Sequence, residues 1–343
     1  MAALVSLAAL ADEPPTVPYP WDRRPLSCVS DAAANPECGL ESWPDPAQSA
    51  RYIASLYAVE KFALLERALG DIASSKRRFA SGKPVASAAY KAFMYVMPAR
   101  DLSPDEIDRI RRWKAAIPDS TFVYLVEAFL ARQKAWSIRG NGFTNTVSPE
   151  SWDLYHKQLR ESERLLLSAP EPLKGTVLWY QLLLNVVLDS DRTQRKPGEV
   201  FEEAVKLSPH YYPFYEGMVT RLEPKWGGSW RSLEAFVDKW TQRRTDGEGQ
   251  SLYARLYIVI KEDQAVSETN MDWPRMKQSF RDLISRYPDK SFKNLYASYA
   301  CATRDREAYE EAMKMLPKGV LDPTEWIRGH SYEACSRWGA VET

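Results

Sequence analysis

Residues 199–230 read EVFEEAVKLSPHYYPFYEGMVTRLEPKWGGSW, and this stretch decides the fold class. On both sides of Pro209, apolar side chains recur every three or four positions, which is the spacing of one face of an α-helix. A proline cannot continue a helix and moves the preceding residue out of the helical region. Pro209 therefore marks a turn between two helices, and the stretch predicts a helical hairpin.

The same pattern recurs along the chain, with proline stops at Pro118, Pro170 and Pro288. SARYIASLYAVEKFALLERAL (49–69) places its apolar residues on one broad helical face, and no stretch alternates convincingly like a strand. The intervals between prolines are irregular, but the unit resembles the two-helix tetratricopeptide repeat. No single hairpin buries its apolar face alone, so neighbouring hairpins supply the core. We predict an all-α, irregular tetratricopeptide-like α-solenoid with one continuous core.

The segment RLEPKWGGSW (221–230) predicts a sharp corner between two helices. Pro224 stops one helix, Ser229 is a suitable N-cap for the next, and the glycines between them allow backbone angles closed to other residues. The two tryptophans are expected to clamp the corner by packing into adjacent hairpins. Alternatively, exposed glycine N–H groups hold an anion or a carboxylate of a partner. The candidate residues are Trp226, Gly227, Gly228, Ser229 and Trp230.

Three stretches resemble a bacterial family catalogued as domain of unknown function 4034. PHYYPFYEGMVTRLEPKWGGSW (209–230) is similar to its hallmark, and RDLISRYPDKSFKNLYASYACATRDRE (281–307) to a second block. LVEAFLARQKAWSIRGNGFTNTVSPESWDLYHKQL (125–159) fits its aromatic-then-RG pattern, although KSFKNLY and TRDRE depart from the family's usual turn and break. The resemblance implies a tetratricopeptide-like scaffold of Gram-negative bacteria, often exported, and no established activity.

The N-terminus indicates export. MAALVSLAALA (1–11) combines an apolar run with an A-x-A end, as secretory signal peptides do, although a basic start is missing. The alternative is a short apolar first helix of a cytosolic protein. No later apolar run approaches the roughly 20 residues that span a bilayer. We predict a signal remnant (1–11), a Pro-rich segment (12–46) and a helical-repeat domain (47–343), with the protein periplasmic or secreted.

Four cysteines form two local groups, Cys28 with Cys38 and Cys301 with Cys335. An even number in an exported chain favours disulfides, and we predict the pairs 28–38 and 301–335 among the three possible pairings. The spacings are too wide for the usual zinc pairs. In a cytosolic protein, all four are small core residues.

Catalytic motifs are missing from the sequence. The three histidines, His156, His210 and His330, are far apart, and no zinc-hydrolase, nucleophile-elbow or phosphate-loop motif occurs. His210 reads as a turn or packing residue. Adjacent carboxylates such as Glu202 and Glu203 point about 100° apart on a helix, as on a solvated face. We predict a non-enzyme without cofactor or metal.

WSIRGNGFTNTV (136–147) is a second candidate site. Gly140 or Gly142 suits the end of the preceding helix, with Arg139 satisfying its last carbonyls. The functional interpretation places Trp136, Arg139 and Asn141 at the mouth of a groove, where the loop contacts a peptide. The basic clusters KRR (76–78) and RIRR (109–112) read as solvated helix faces.

Lys and Arg together number 46, and so do Asp and Glu, so the net charge is zero. A zero net charge predicts neither nucleic acid nor an anionic membrane as partner.

We predict a scaffold that binds a protein partner through an aromatic-bearing groove. An immunity protein that neutralises a secreted antibacterial toxin is the alternative, and an envelope enzyme with an unrecognised site is the second. An exposed aromatic groove favours the first, a charged protruding patch the second, and a pocket of convergent carboxylates the third.

Overall fold

The computed structural model describes most of the chain from Pro46 onward. The predicted signal remnant, nearly all of the Pro-rich segment and the Cys28–Cys38 pair lie outside the described residues and stay predictions. The described residues are 46–75, 77–79, 81–96, 103–243, 248–260, 264–287, 289–316, 322, 325–327 and 330–340.

The described residues form sixteen α-helices and no strand, with one isolated β-bridge between Arg78 and Pro84, so the all-α prediction is confirmed. Short 3₁₀ turns lie at Thr144–Thr146 and Pro224–Trp226. The helices are α1 (Pro46–Ala58), α2 (Phe62–Ser74), α3 (Ser87–Val96), α4 (Pro104–Ala116), α5 (Phe122–Arg139), α6 (Pro149–Leu167), α7 (Val177–Asp189), α8 (Pro197–Leu207), α9 (Pro213–Leu222), α10 (Trp230–Arg243), α11 (Gly249–Tyr257), α12 (Gln264–Ser267), α13 (Trp273–Arg286), α14 (Lys290–Ala302), α15 (Arg306–Met315) and α16 (Tyr332–Ala340).

The helix boundaries follow the signals in the sequence. At the start of α4, the Ser103 hydroxyl accepts from the Glu106 amide at 3.3 Å, and the Glu106 carboxylate accepts from the Ser103 amide at 2.7 Å. This reciprocal capping satisfies two amides that the first helical turn leaves unpaired. Helices α4, α6 and α8 end just before Pro118, Pro170 and Pro209, as predicted.

One boundary has no such signal. The apolar periodicity of 49–69 covers two helices, because the chain leaves α1 after Ala58 and enters α2 at Phe62. Glu60 lies between them with φ 58°, a left-handed angle that non-glycine residues seldom adopt. Its carboxylate accepts two hydrogen bonds from Arg112 on α4, at 2.9 and 2.6 Å. These contacts hold the turn where neither proline nor glycine marks it.

The described residues divide into two compact units. Unit 1 comprises those up to Phe79 and in Lys83–Phe214, and unit 2 those in Ala80–Gly82 and Tyr215–Thr343. In each unit, helices contact near neighbours along the chain, which is the arrangement that a stack of hairpins requires. The tetratricopeptide-like character and the single continuous core stay predictions.

The core of unit 1 lies around α7. This helix has nine buried residues and contacts α5, α6 and α8. Elsewhere in the unit, α1 packs on α3 and α5 on α6. The Trp113 indole of α4 is 1% exposed and stacks on Phe62 of α2, their ring centroids 6.0 Å apart. Large rings thus fill the joints between helices, as expected.

Unit 2 is built in the same way from α10–α16. Helix α11 packs on α13, and α14 on α15 and α16. Phe280 of α13 stacks on Tyr296 of α14 with centroids 5.2 Å apart, and the Tyr299 hydroxyl donates to the Tyr257 carbonyl at 3.0 Å. All four side chains are buried. The buried phenols therefore join neighbouring helices and meet a polar partner in the core.

A disulfide joins α14 to α16. Cys301 and Cys335 are bonded across 34 residues, with their Cα atoms 5.7 Å apart, so this predicted pair is confirmed. In the chain-entropy account, closing a loop of this length stabilises the fold by about 4 kcal/mol.

No helix among the described residues has the length and apolar character needed to cross a bilayer.

Candidate functional site

The turn between α5 and α6 in unit 1 holds one of the two predicted sites. Helix α5 ends at Arg139, and Gly140 follows with φ 69°, its amide donating to the Trp136 carbonyl at 2.9 Å. Glycine takes a positive φ without steric cost, so it can turn the chain away directly after the last helical residue. Gly140 is therefore the terminating glycine, as one of the two alternatives predicted.

Arg139 contacts residues of this turn and of the helix that follows it. Its guanidinium carbon lies 5.4 Å from the ring centroid of Trp136 on α5 and 5.4 Å from that of Trp152 on α6. The same guanidinium donates to the carbonyls of Gly140 at 2.9 Å and Gly142 at 3.2 Å. A cation between two indole faces is attracted by both. Arg139 therefore satisfies carbonyls beyond the helix end and joins both helices to the loop.

On the core side of the Arg139–tryptophan contacts, a carboxylate orients Trp136. The indole Nε1 donates to Asp189 Oδ2 at 2.8 Å, and Arg132 Nε donates to the same oxygen at 2.7 Å. Both charged side chains are mostly buried, and burial by itself disfavours the Arg132 charge. The Asp189 carboxylate outweighs that effect, so the pKa of Arg132 is raised above its usual value. Trp136 is thus held in place from the core side.

Phe143 is the most exposed large apolar residue of this turn, with 84% of its surface in solvent. Its backbone is nevertheless fixed, because its carbonyl accepts from the Thr146 amide at 2.9 Å and from the Thr146 hydroxyl at 2.7 Å. Asn141, a predicted site residue, is exposed on the same loop. Phe143 is not among the residues predicted from the sequence, where its only signal is that it is an aromatic residue inside a Gly/Asn/Thr-rich loop.

An open depression of about 480 Å³ lies beside Trp152, and His156 and Arg192 are part of its wall. The imidazole of His156 is buried, stacks on Trp152, and its Nδ1 lies 2.8 Å from the Ser190 hydroxyl. Burial, and next the charge of Arg192, lower the pKa of His156 below 6.5. The ring is therefore neutral at pH 7 and serves as a packing group between α6 and the segment after α7.

The second predicted site, the 226–230 corner, lies in unit 2. Helix α9 ends at Leu222, and the Ser229 hydroxyl accepts from the Ser232 amide at 3.2 Å, so the stop and the N-cap are confirmed. Trp230 donates to Glu268 at 2.8 Å, whereas Trp226 is 39% exposed. Both indoles were predicted to pack into adjacent hairpins. That prediction is wrong for Trp226, which lies on the surface.

The two glycines of the corner have different roles. Gly227 has φ 87°, which is the left-handed angle expected there. Gly228 has no such angle; a Cβ on it would lie 2.1 Å from the Leu222 carbonyl oxygen. The prediction of a positive φ at Gly228 is wrong, and the close approach of the backbone at the end of α9 is the reason for glycine.

The structure thus brings Trp136 and Arg139 together with Trp152. Asn141 and Phe143 lie on the loop that Arg139 contacts. The 226–230 corner lies in the other unit. Among the described residues, no group of three or more His, Cys, Asp or Glu side chains is arranged to hold a metal ion.

No family model, curated protein or solved structure matches this chain. The resemblance to domain of unknown function 4034 has no support from these comparisons and stays a proposal.

Proposed function

We propose that this chain is an exported, non-catalytic scaffold that binds another protein through the α5–α6 turn, with Phe143 as the anchor. The observation that carries the proposal is a phenyl ring that is 84% exposed on a loop whose carbonyls accept hydrogen bonds from Arg139 and Thr146. Burying a phenylalanine side chain contributes roughly 1.5–3 kcal/mol. A partner with a matching pocket gains that energy.

A single exposed apolar residue is common on protein surfaces, so the support comes from what surrounds it. The loop is held at Gly140 and Gly142 by Arg139, and at Phe143 by Thr146. A contact residue that is already fixed loses little conformational entropy on binding. Tryptophan and arginine, the residues behind this loop, are also the types enriched at the centres of protein interfaces.

Export is supported by the Cys301–Cys335 disulfide, because such bonds persist in oxidising compartments and are rare in the cytosol. The signal-like sequence of residues 1–11 points the same way. A tetratricopeptide-like stack of hairpins would suit this role, since such repeats commonly present binding surfaces.

The test places a photo-crosslinking phenylalanine analogue at Phe143 in the intact mature protein, in its own cell envelope. The control carries the same analogue at Met94, which is 59% exposed on α3. We expect one defined protein species crosslinked from position 143 and not from position 94. The crosslinked species should also be captured by the unlabelled protein and lost with Phe143→Ala, while Met94→Ala retains it.

Both alanine variants should unfold at the temperature of the parent, because both side chains are exposed. Equal crosslinking from the two positions, or capture that survives Phe143→Ala, would exclude this loop as the binding surface.

A further inference from the structure

A cavity of about 680 Å³ lies within unit 1, and among the described residues it shares none of its lining with the α5–α6 turn. Its wall combines the end of α2, the bridged segment around Arg78 and Pro84, the start of α5, the segment before α7 and the residues after α8. Ligand pockets in proteins commonly have volumes of roughly 300–1,000 Å³. The cavity is therefore large enough for a small organic molecule.

The wall of this cavity presents mainly apolar side chains. Leu173 and Ala86, which are 1% and 2% exposed, belong to it together with Leu207, which is 49% exposed. The wall thus extends from the interior of the unit to its surface. Further apolar lining residues are Ala73, Phe122 and Val177. An apolar molecule that enters the cavity exchanges water for contact with these side chains, which is favourable.

Several polar side chains of the wall are engaged inside the protein. The Ser74 hydroxyl donates to a backbone carbonyl of α2 at 2.8 Å, and the Thr176 hydroxyl accepts from a backbone amide of α7 at 3.2 Å. The Tyr211 hydroxyl donates to the Gln181 side chain in the core. These hydrogen bonds hold polar groups to the protein itself, so the apolar side chains make most of the contact with a bound molecule.

The basic residues of the wall, Arg78 and His210, both interact with other groups of the protein. Arg78 Nη1 donates to the Tyr212 hydroxyl at 3.2 Å, and its guanidinium carbon lies 5.8 Å from the Tyr212 ring centroid. No Asp or Glu is among the described lining residues. A charged group of a ligand would lose hydration here and would have to compete with existing interactions for a partner.

The position of Arg78 also corrects an expectation from the sequence. KRR (76–78) was expected to be a solvated helix face. That expectation is wrong for Arg78, which lies on a β-bridge in the cavity wall.

The helix ends at the cavity favour neither sign of charge. Helices α5 and α7 begin at the wall, at Phe122 and Val177, and bring the positive ends of their dipoles. Helices α2 and α8 end at the wall, at Ser74 and Leu207, and bring negative ends. These partial charges oppose one another.

We propose that this cavity binds an uncharged small molecule with an apolar body of moderate size. The volume admits such a molecule, and the apolar side chains supply the contact that draws it from water. A carboxylate or an ammonium group of the same size binds less well, because it has to give up its hydration at a largely apolar wall. The ligand is thus distinguished by its lack of charge.

The test titrates the full-length oxidised protein with 2-naphthol by calorimetry, and in parallel with 2-naphthoate and 2-naphthylmethylammonium. The three probes share one fused pair of rings, and at neutral pH the first is uncharged, the second an anion and the third a cation. We expect 2-naphthol to bind at least tenfold more tightly than either ion. No binding of 2-naphthol, or comparable or tighter binding of either ion, would overturn the proposal.

Leu207→Ala tests the surface end of the wall. This variant should weaken 2-naphthol binding about fivefold, because it removes apolar contact area. The matched control is Leu154→Ala on α6, since Leu154 is also 49% exposed and lies outside the lining residues. It should leave the affinity unchanged. Equal affinities of the two variants would exclude Leu207 from the site and contradict the assigned location.

Ala73→Phe tests the location from a second element. The added ring fills the cavity from α2 and should abolish binding of all three probes, while Ala63→Phe, at an exposed position of the same helix, should not. Binding of 2-naphthol that persists in Ala73→Phe would place the ligand elsewhere and refute the site.

Circular dichroism establishes that each variant is folded. Leu207→Ala changes an exposed side chain, so it tests the location even if Ala73→Phe unfolds. Phe143→Ala should leave 2-naphthol binding intact, so the fate of this proposal is separate from that of the protein-binding loop.

Discussion

At the residue scale, the identity of a glycine does not tell which physical constraint it meets. At the 226–230 corner, two adjacent glycines look alike in sequence, yet Gly227 is required by its left-handed angle and Gly228 by the backbone carbonyl of Leu222. The sequence predicted the corner because proline, glycine and an N-cap serine act locally. It did not predict the close contact, because that depends on where the end of α9 lies in space.

This distinction predicts different costs for the same substitution at neighbouring positions. Gly227→Ala should lower the free energy of unfolding by about 1 kcal/mol, the strain of a left-handed alanine, since its Cβ meets only Arg221 Nη1 at 3.6 Å. Gly228→Ala should cost about 3 kcal/mol, because backbone atoms have to move. Urea denaturation of both variants measures the difference. Equal losses would contradict the steric explanation.

Phe143 and Arg78 show the same limit of local reasoning. Whether an aromatic ring is buried or exposed, and whether a basic residue faces solvent or a cavity, depends on elements far along the chain. The periodic residues of helices were predictable, since the helix itself sets their direction. Phe143 and Arg78 lie between helices, where no periodicity acts.

At the element scale, local signals predicted most helix boundaries, and tertiary contacts explain the exceptions. The turn at Glu60 contains no proline or glycine and is held by Arg112 on another helix. Between α14 and α15, Arg304 has φ 56°, again without a glycine to mark it. Glu60 adopts its left-handed angle where contacts from α4 hold it, so the local sequence carries no sign of that turn.

Asp305 shows how one residue can both begin a helix and join two helices. Its carboxylate accepts from the Ala308 amide at the start of α15, and from Trp273 and Lys277 of α13, at 3.0, 2.9 and 2.9 Å. Burial alone would raise its pKa. These donors outweigh burial and lower the pKa of Asp305 from 3.8 to about 2.

The depressed pKa predicts a pH-dependent stability. Because the folded protein holds the ionised form, this contribution is fully present above pH 3.8 and is lost as the pH falls toward about 2. Asp305→Asn should therefore cost about 2 kcal/mol at pH 7 and almost nothing near pH 2. Chemical denaturation across this pH range measures the effect.

The matched control is Asp289→Asn, at the N-cap of α14, where the carboxylate accepts from the Ser291 amide at 2.8 Å. Asparagine and aspartate cap helices about equally well, so this variant should change stability by less than about 0.5 kcal/mol. A loss at Asp305 no larger than that at Asp289 would show that Trp273 and Lys277 contribute nothing to the interaction.

At the scale of the whole molecule, the fold class was predictable, and the geometry of the candidate sites was predictable only in part. The helical class follows from periodicity repeated over the chain, so that errors at single boundaries do not change it. The 301–335 disulfide was predicted because both cysteines are close in sequence within the C-terminal helices. The cavity of unit 1 was not predicted, because its wall combines five separate parts of the chain.

Export predicts the redox state of the entire protein. A chain that matures in an oxidising compartment should carry both the Cys301–Cys335 bond and the proposed Cys28–Cys38 bond. Each disulfide removes two hydrogens, so the unreduced mature protein should be four hydrogens lighter than the reduced form in intact-mass spectrometry. Alkylation without reductant should then label none of the four cysteines. If only Cys28 and Cys38 are labelled, the Cys301–Cys335 bond is present and the N-terminal pair no longer supports export. If all four cysteines are labelled, neither disulfide is present, and the cysteines contradict export.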